Sequence, residues 1–164
     1  MKIDLFLKLD GIDGESTDAR HRNEIELLSY SWGETQLVLQ SGGGGGGGGS
    51  ASKVQMQDLH CALHTCIATP KLMLAVATGK HLKHAMLSVR RAGKTPLEFM
   101  QWTLGDIRVS SYQTAAEHAS GFPPTDQLSL HFNTLTLAYH PQLADGSLGT
   151  AIKAGWDVAK NKAI

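Results

Sequence analysis

Gln127-Leu128-Ser129-Leu130-His131-Phe132-Asn133-Thr134-Leu135-Thr136-Leu137-Ala138-Tyr139-His140 is the longest strand candidate in the chain. Each half alternates apolar and polar residues, but the halves are out of phase. Leu128, Leu130 and Phe132 share one parity; Leu135, Leu137 and Tyr139 share the other. Side chains on a strand alternate between its faces, so a phase switch moves the apolar face to the opposite side. The segment therefore reads as a strand that bends, or one that leaves one apolar environment and enters another, such as a subunit interface.

The same signature recurs outward from this stretch. Ile25 and Leu27 share one parity, while Leu28, Tyr30 and Trp32 share the other, which predicts a bulge or burial on both faces. Val54 and Met56 are out of phase with Leu59, Cys61 and Leu63, with the slip at Gln57-Asp58; a helix over 56–66 competes with the strand reading. Cleaner strands lie at Ile3, Leu5, Leu7 and Leu9, and at Ala85, Leu87 and Val89. Residues 97–104 and 107–114 read as two strands separated by a turn at Gly105-Asp106, and 151–160 as a closing strand. Residues 18–23 are charged and read as exposed. One helix stands out: Thr69 is the expected N-cap, Pro70 suits the first helical position, and Gly79 suits the position just past the end. Leu72, Met73, Ala75 and Val76 supply its apolar stripe. The sum is a mainly β fold in a single domain, 1–164: a β-barrel of two packed antiparallel sheets with one short α-helix at about 70–78.

Between the second and third phase-switching segments lies a different composition. Ser41 is followed by eight glycines, Gly42, Gly43, Gly44, Gly45, Gly46, Gly47, Gly48 and Gly49, and then by Ser50, Ala51 and Ser52. Ordering eight glycines costs on the order of 10 kcal/mol of backbone entropy, and no side chain in the run offsets it by burial. This extended loop, 41–52, is either a slack linker or a bare backbone docked on another surface.

The totals narrow the function. Lys plus Arg and Asp plus Glu both number 15, so no basic field is present to hold phosphates, and nucleic acid is not an expected partner. Net charge near zero favours self-association. The N-terminus lacks a continuous apolar core, so it does not read as a secretory signal, and no apolar run reaches transmembrane length. The expectation is a cytoplasmic protein without membrane insertion. Two cysteines five positions apart do not form a disulfide framework.

Each chemical motif has a plainer account. The glycine run satisfies G-x-G-x-x-G, but no helix follows it as a dinucleotide site requires. Gly93-Lys94-Thr95 lacks the phosphate-loop glycine five residues earlier, where Ser88 stands. His60, Cys61, His64 and Cys66 invite a zinc reading, yet a strand points Cys61 away from the other three, and a helix separates His64 from Cys66. Asp13, Glu15 and Ser16 have no base or oxyanion arrangement nearby. His81 and His84 read as solvated or interfacial. No catalytic, cofactor or metal residues are assigned, and an enzyme is not expected.

Several segments together resemble one family. They are Ile3-Asp4-Leu5-Phe6-Leu7-Lys8-Leu9 with Gly14-Glu15-Ser16; Ser29-Tyr30-Ser31-Trp32-Gly33 before a glycine-rich loop; Val54-Gln55-Met56-Gln57-Asp58-Leu59; Thr69-Pro70-Lys71-Leu72-Met73 running into Thr78-Gly79-Lys80-His81; residues 128–139; and Gly155-Trp156-Asp157. In order and spacing these resemble the haemolysin-coregulated protein (Hcp) family, inner-tube subunits of bacterial type VI secretion systems. The resemblance implies a structural role. Members form six-membered rings that stack into a hollow tube, surrounded by a contractile sheath, capped by a spike protein, and able to carry effectors. Secretion by such a machine needs no signal peptide. The resemblance also implies that residues 41–52 contact a neighbouring subunit or ring. Some members carry a C-terminal toxin domain; here the chain stops soon after Asn161-Lys162-Ala163-Ile164, so none is expected. The alternative from another class is a small β-barrel that binds a metal or ligand, which requires a deep pocket with convergent polar groups within one subunit.

Overall fold

The computed structural model describes residues 1–37, 53–119 and 121–164. Eleven strands and one helix are present among them: β1 (Ile3–Leu9), β2 (Ile25–Ser31), β3 (Glu34–Thr35), β4 (Gln55–Met56), β5 (Leu59–His64), α1 (Thr69–Thr78), β6 (His81–Arg91), β7 (Leu97–Ala115), β8 (Thr125–His131), β9 (Thr134–Tyr139), β10 (Ile152–Asp157) and β11 (Lys162–Ala163). All strand pairs are antiparallel. Strands β7, β6, β1, β2, β5 and β8 follow one another, and β8 pairs back onto β7, so six strands close the expected barrel. Strands β9, β10 and β11 extend the sheet beyond β7, and β3 pairs with β4 as a separate ribbon.

The phase switches have distinct origins. In β2, Leu27 pairs with Leu63 but Ser29 pairs with Ala62, so Leu28 is the extra residue of a bulge, and it is exposed. The slip at Gln57-Asp58 is the gap between β4 and β5, and the strand reading of this segment holds over the helical one. The switch in 127–140 marks where one edge-on path becomes two strands. Both β8 and β9 run antiparallel to β7, one after the other, with Phe132-Asn133 between them. Opposite this gap, Gly105-Asp106 is not the expected turn: β7 is one strand of 19 residues that kinks there, with Asp106 at φ 56°. A Cβ at position 105 would meet Thr134 Oγ1, so glycine lets the two kinked strands touch.

Leu7, Ile25, Leu63, Leu87, Leu104 and Leu130 form the centre of the barrel and are at most 1% exposed. Helix α1 packs against β7 and contributes Leu72 and Ala75 to the core. Gly79 ends it at φ 63°, with the N–H groups of Gly79 and Lys80 donating to Val76 and Ala75 carbonyls. The N-cap position belongs to Ala68 rather than Thr69. Thr69 instead turns its hydroxyl inward: Oγ1 accepts from the Cys66 N–H at 3.1 Å and donates to the carboxylate of Asp126. Thr65 Oγ1 donates to the same carboxylate at 2.9 Å. Asp126 is fully buried, and this pair of hydroxyls fastens the helix start to β8.

The outer face of β1 and β6 is covered as well, which the alternation did not reveal. Residues 18–23 do not lie free. His21 is 5% exposed and stacks on Phe6 at 4.3 Å, and Arg90, 7% exposed, lies over the same ring. Arg90 donates to Asp4 at 3.0 Å and contacts Asp18 at 2.8 Å. The guanidinium holds the Asp18 carboxyl well below its ordinary range, down to about 2. This layer closes the barrel wall on that side, where an uncovered Arg90 would simply face water.

Candidate assembly surfaces

The expected site, residues 41–52, lies outside the described residues. The chain is described on both sides of it, up to residue 37 and from residue 53. The chain leaves through β3 and returns through β4, with Glu34 opposite Met56 and Thr35 opposite Gln55, and the Gln57 N–H donates to the Gly33 carbonyl at 2.9 Å. A short ribbon thus follows the end of β2.

Two surfaces flank the base of that ribbon. The first is a four-stranded face built by β2, β5, β8 and the second half of β7. Residues directly opposite across antiparallel strands share a face. Ser31, His60, Ser129 and Ser111 form one such row, and Ser29, Ala62, Gln127 and Gln113 form the next. None of these eight is an Asp, Glu, Lys or Arg. The opposite face carries Tyr30, Cys61, Leu128 and Tyr112 toward the core. His60 Nδ1 and Ser129 Oγ are 2.7 Å apart, a polar contact across two strands with no carboxylate partner for His60 among the described residues.

This face has two unpaired edges. Strand β1 meets β2 only at Glu26 and Ile25, so residues 28–31 have β5 on one side and no strand on the other, among the described residues. Strand β6 meets β7 only as far as Arg108, so residues 109–115 pair with β8 alone among the described residues. Bulges sit where each edge strand leaves the barrel, at Leu28 in β2 and at Ser110 in β7. Ser110 is held there by its hydroxyl, which donates to Asp58 Oδ2 at 2.6 Å. Bulges bend a strand and add twist, so each edge is turned away from the closed part of the barrel.

The second surface is a cavity of about 620 Å³ between the β3–β4 ribbon and the β7–β9–β10 sheet. Trp32, Val54 and Met56 line one wall; Trp102, Leu137 and Trp156 line the other. All three tryptophans of the chain meet here, with the Trp32 and Trp102 rings 5.3 Å apart. Trp102 is 8% exposed and its indole N–H has no acceptor among the described residues. Sequence reasoning missed this cavity, because its walls come from segments some 120 residues apart; Trp32 and Trp156 were visible only as members of separate motifs.

The other residues weighed from sequence are dispersed. Cys61 is buried on the core face, and burial pushes its thiol up to about 12, while His60 and His64 are exposed on the opposite face. Cys66 is half-buried, its thiol also raised by burial. No group of three or more His, Cys, Asp or Glu among the described residues is placed to hold a metal ion. Glu15 accepts the Ile67 N–H at 3.3 Å and Ser16 is buried, so they brace the loop over the helix start. His81 faces Asp106 at 3.3 Å in the open. Among the described residues no helix is long and apolar enough to cross a membrane.

Known proteins match this chain over nearly its whole length. Residues 6–139 match the family described as type VI secretion system effector, Hcp. The chain is 37% identical to Protein hcp1 of Pseudomonas aeruginosa over 163 residues, 98% of each chain. Among solved structures, Hcp1 from Salmonella typhimurium is 32% identical, with a TM-score of 0.79 and full coverage of both chains. A type six secretion system protein superposes with a TM-score of 0.92 at 27% identity, covering 99% of this chain and 100% of that one. The closed barrel, its single helix and matches that run the length of the chain place this protein in the Hcp family of type VI secretion tube proteins.

Proposed function

We propose that six copies of this chain join into a ring, that rings stack into a tube propelled by a contractile sheath behind a spike protein, and that the channel carries effectors out of the cell. The chain acts as a structural element rather than an enzyme, and leaves the cytoplasm with the machine instead of through a signal peptide.

The observation that carries this reading is the four-stranded face with two free edges. Its strands alternate in direction, so β2 and the second half of β7 run opposite ways. Setting the β7 edge of one copy against the β2 edge of the next continues the antiparallel alternation without a break. Such a contact joins two different patches, and head-to-tail contacts of this kind generate rings when the rotation closes. It also removes the exposed edges, which otherwise template aggregation. The joined sheets would present their serine, glutamine and histidine rows to one side, a neutral hydroxyl- and amide-rich lining suited to unrelated cargo. Residues 41–52, launched from the ribbon at the end of β2, serve in this reading as a contact to a neighbouring subunit or ring.

Negative-stain electron microscopy of the purified, untagged protein tests the reading. Rings with a central channel are expected, and a field of single compact particles would overturn it. Shortening the glycine run should leave the rings and the barrel fold intact while weakening ring stacking; wild-type stacking and secretion would remove the loop from the assembly role.

A further inference from the structure

We infer that the tryptophan-lined cavity is the receptor for the exposed apolar face of helix α1 on the next copy of this chain. The inference rests on the ring reading above and names a contact that the strand edges alone do not supply.

Three observations point to this occupant. The first is shape and chemistry. The cavity is concave, walled by Trp32, Trp102, Trp156, Val54, Met56 and Leu137. Met73 and Leu74 on α1 and Ile67 just before it are 56%, 57% and 56% exposed, apolar side chains with nothing covering them among the described residues. Exposed apolar side chains brought together by one short segment mark an interaction site more often than scattered ones do.

The second is charge. Glu34 is the charged residue of the cavity lining, and Lys71 lies beside these apolar side chains on α1. Neither side chain has an ion-pair partner among the described residues. Docking the helix face into the cavity brings a single acid toward a single base at the rim. The modest value of such a pair lies in orientation more than in strength.

The third is position. Helix α1 packs along β7, and the chain passes from its end into His81, opposite Arg108, so the helix accompanies the flank that ends in the free edge 109–115. The cavity begins at Trp32, one residue past the free edge 28–31 of β2, and continues into the β3–β4 ribbon. Helix and cavity therefore belong to opposite flanks of the four-stranded face. Joining copies head-to-tail through the strand edges brings the helix flank of one toward the cavity flank of the next. The strand edges would then supply register, and the helix seated among the indoles would supply the apolar burial that backbone pairing lacks.

The test uses the full chain in two ways. First, Met56→Cys and Leu74→Cys are combined in a Cys66→Ser background, leaving the buried Cys61, and the protein is treated with a short bis-maleimide. A ladder of covalent multimers is expected from the double-cysteine protein and at most dimers from either single variant. Second, Leu74→Glu, a change at an exposed position, is compared with wild type for circular dichroism, oligomer mass against concentration, and tryptophan emission. Unchanged circular dichroism is expected, with half-assembly moved to about tenfold higher concentration, a loss of about 1.4 kcal/mol. Because every tryptophan lines the cavity, emission should also shift to the red at concentrations where wild type is assembled. Rings that form normally, give no ladder and keep wild-type emission in Leu74→Glu would overturn the inference and leave the ring reading standing. A wild-type protein that stays monomeric at every concentration would instead overturn the ring reading itself.

Discussion

Gly14→Ala and Gly33→Ala are the same substitution, and neither position has a positive φ, so backbone strain does not separate them. Space does. A Cβ on Gly14 would collide with the Glu24 carbonyl oxygen and lie 2.6 Å from the Ile25 Cα, both backbone atoms that no rotamer change can move. A Cβ on Gly33 would meet only the Gln57 side chain, at 3.5 Å, an ordinary contact. Relieving the clash at Gly14 means moving the 14–16 segment off the start of β2. That segment is held by the Gly14 N–H to Asn23 carbonyl bond at 2.8 Å, the Asn23 N–H to Ser16 carbonyl bond at 2.8 Å and the Ser16 N–H to Glu24 carbonyl bond at 3.1 Å. Overpacking costs about 1–3 kcal/mol and each weakened hydrogen bond about 1 kcal/mol, so Gly14→Ala should lose about 2–4 kcal/mol. For a chain of this size that corresponds to a fall in Tm of roughly 5–15 °C. Gly33→Ala should stay within about 1 kcal/mol of wild type, on either side, because removing glycine also restricts the unfolded chain. Urea and thermal unfolding by circular dichroism decide it, at one fixed protein concentration, because self-association adds its own concentration-dependent stability. Equal midpoints for the two variants would refute the steric reasoning and the placement of residues 14–16 against β2.

Three further outcomes follow from the same structure. Asp126→Ala removes the buried carboxylate that accepts from the Thr65 and Thr69 hydroxyls, and should cost about 2–4 kcal/mol in urea unfolding; a loss below about 1 kcal/mol would mean that the helix start is held by something else. Asp18 has its carboxyl depressed from 3.8 to about 2 by Arg90, so its contribution is present above pH 4 and lost as pH falls from about 4 toward 2; Asp18→Asn should therefore flatten the acid limb of Tm against pH, and an unchanged limb would contradict the ion pair. Cys61, raised to about 12 and buried, should resist an aromatic disulfide reagent at pH 8 until the chain unfolds, whereas the half-buried Cys66 should label first; simultaneous labelling in the folded state would contradict the barrel packing.

The sequence carried the barrel through its phase errors. Leu28 could be read as a bulge because parity changes within one uninterrupted strand pattern. The kink at Gly105-Asp106 was misread as a turn, since a glycine before an aspartate has the same signature whether the chain reverses or merely bends. What separates the two is the partner strand, and Phe132-Asn133 lies opposite only once the fold exists. Residues 18–23, His21 among them, were read as exposed because local alternation cannot see a loop folding over the outer face of a strand. The cavity was illegible for a related reason: Trp32, Met56, Trp102 and Trp156 belong to four segments, and nothing local marks them as neighbours. The free edges were equally hidden, because an edge is defined by which strand is missing beside it. The family resemblance rested on order and spacing across the whole chain, which is why it survived these local errors.

Native mass spectrometry of the purified, untagged protein decides whether the chain is a ring-forming subunit. The subunit mass is 17.6 kDa. A dominant species at six times that mass is expected, accompanied by multiples of it where rings stack. A single peak at the subunit mass at micromolar concentration would contradict it, and would return the four-stranded face and the tryptophan cavity to the reading of a small barrel that binds a ligand on its own.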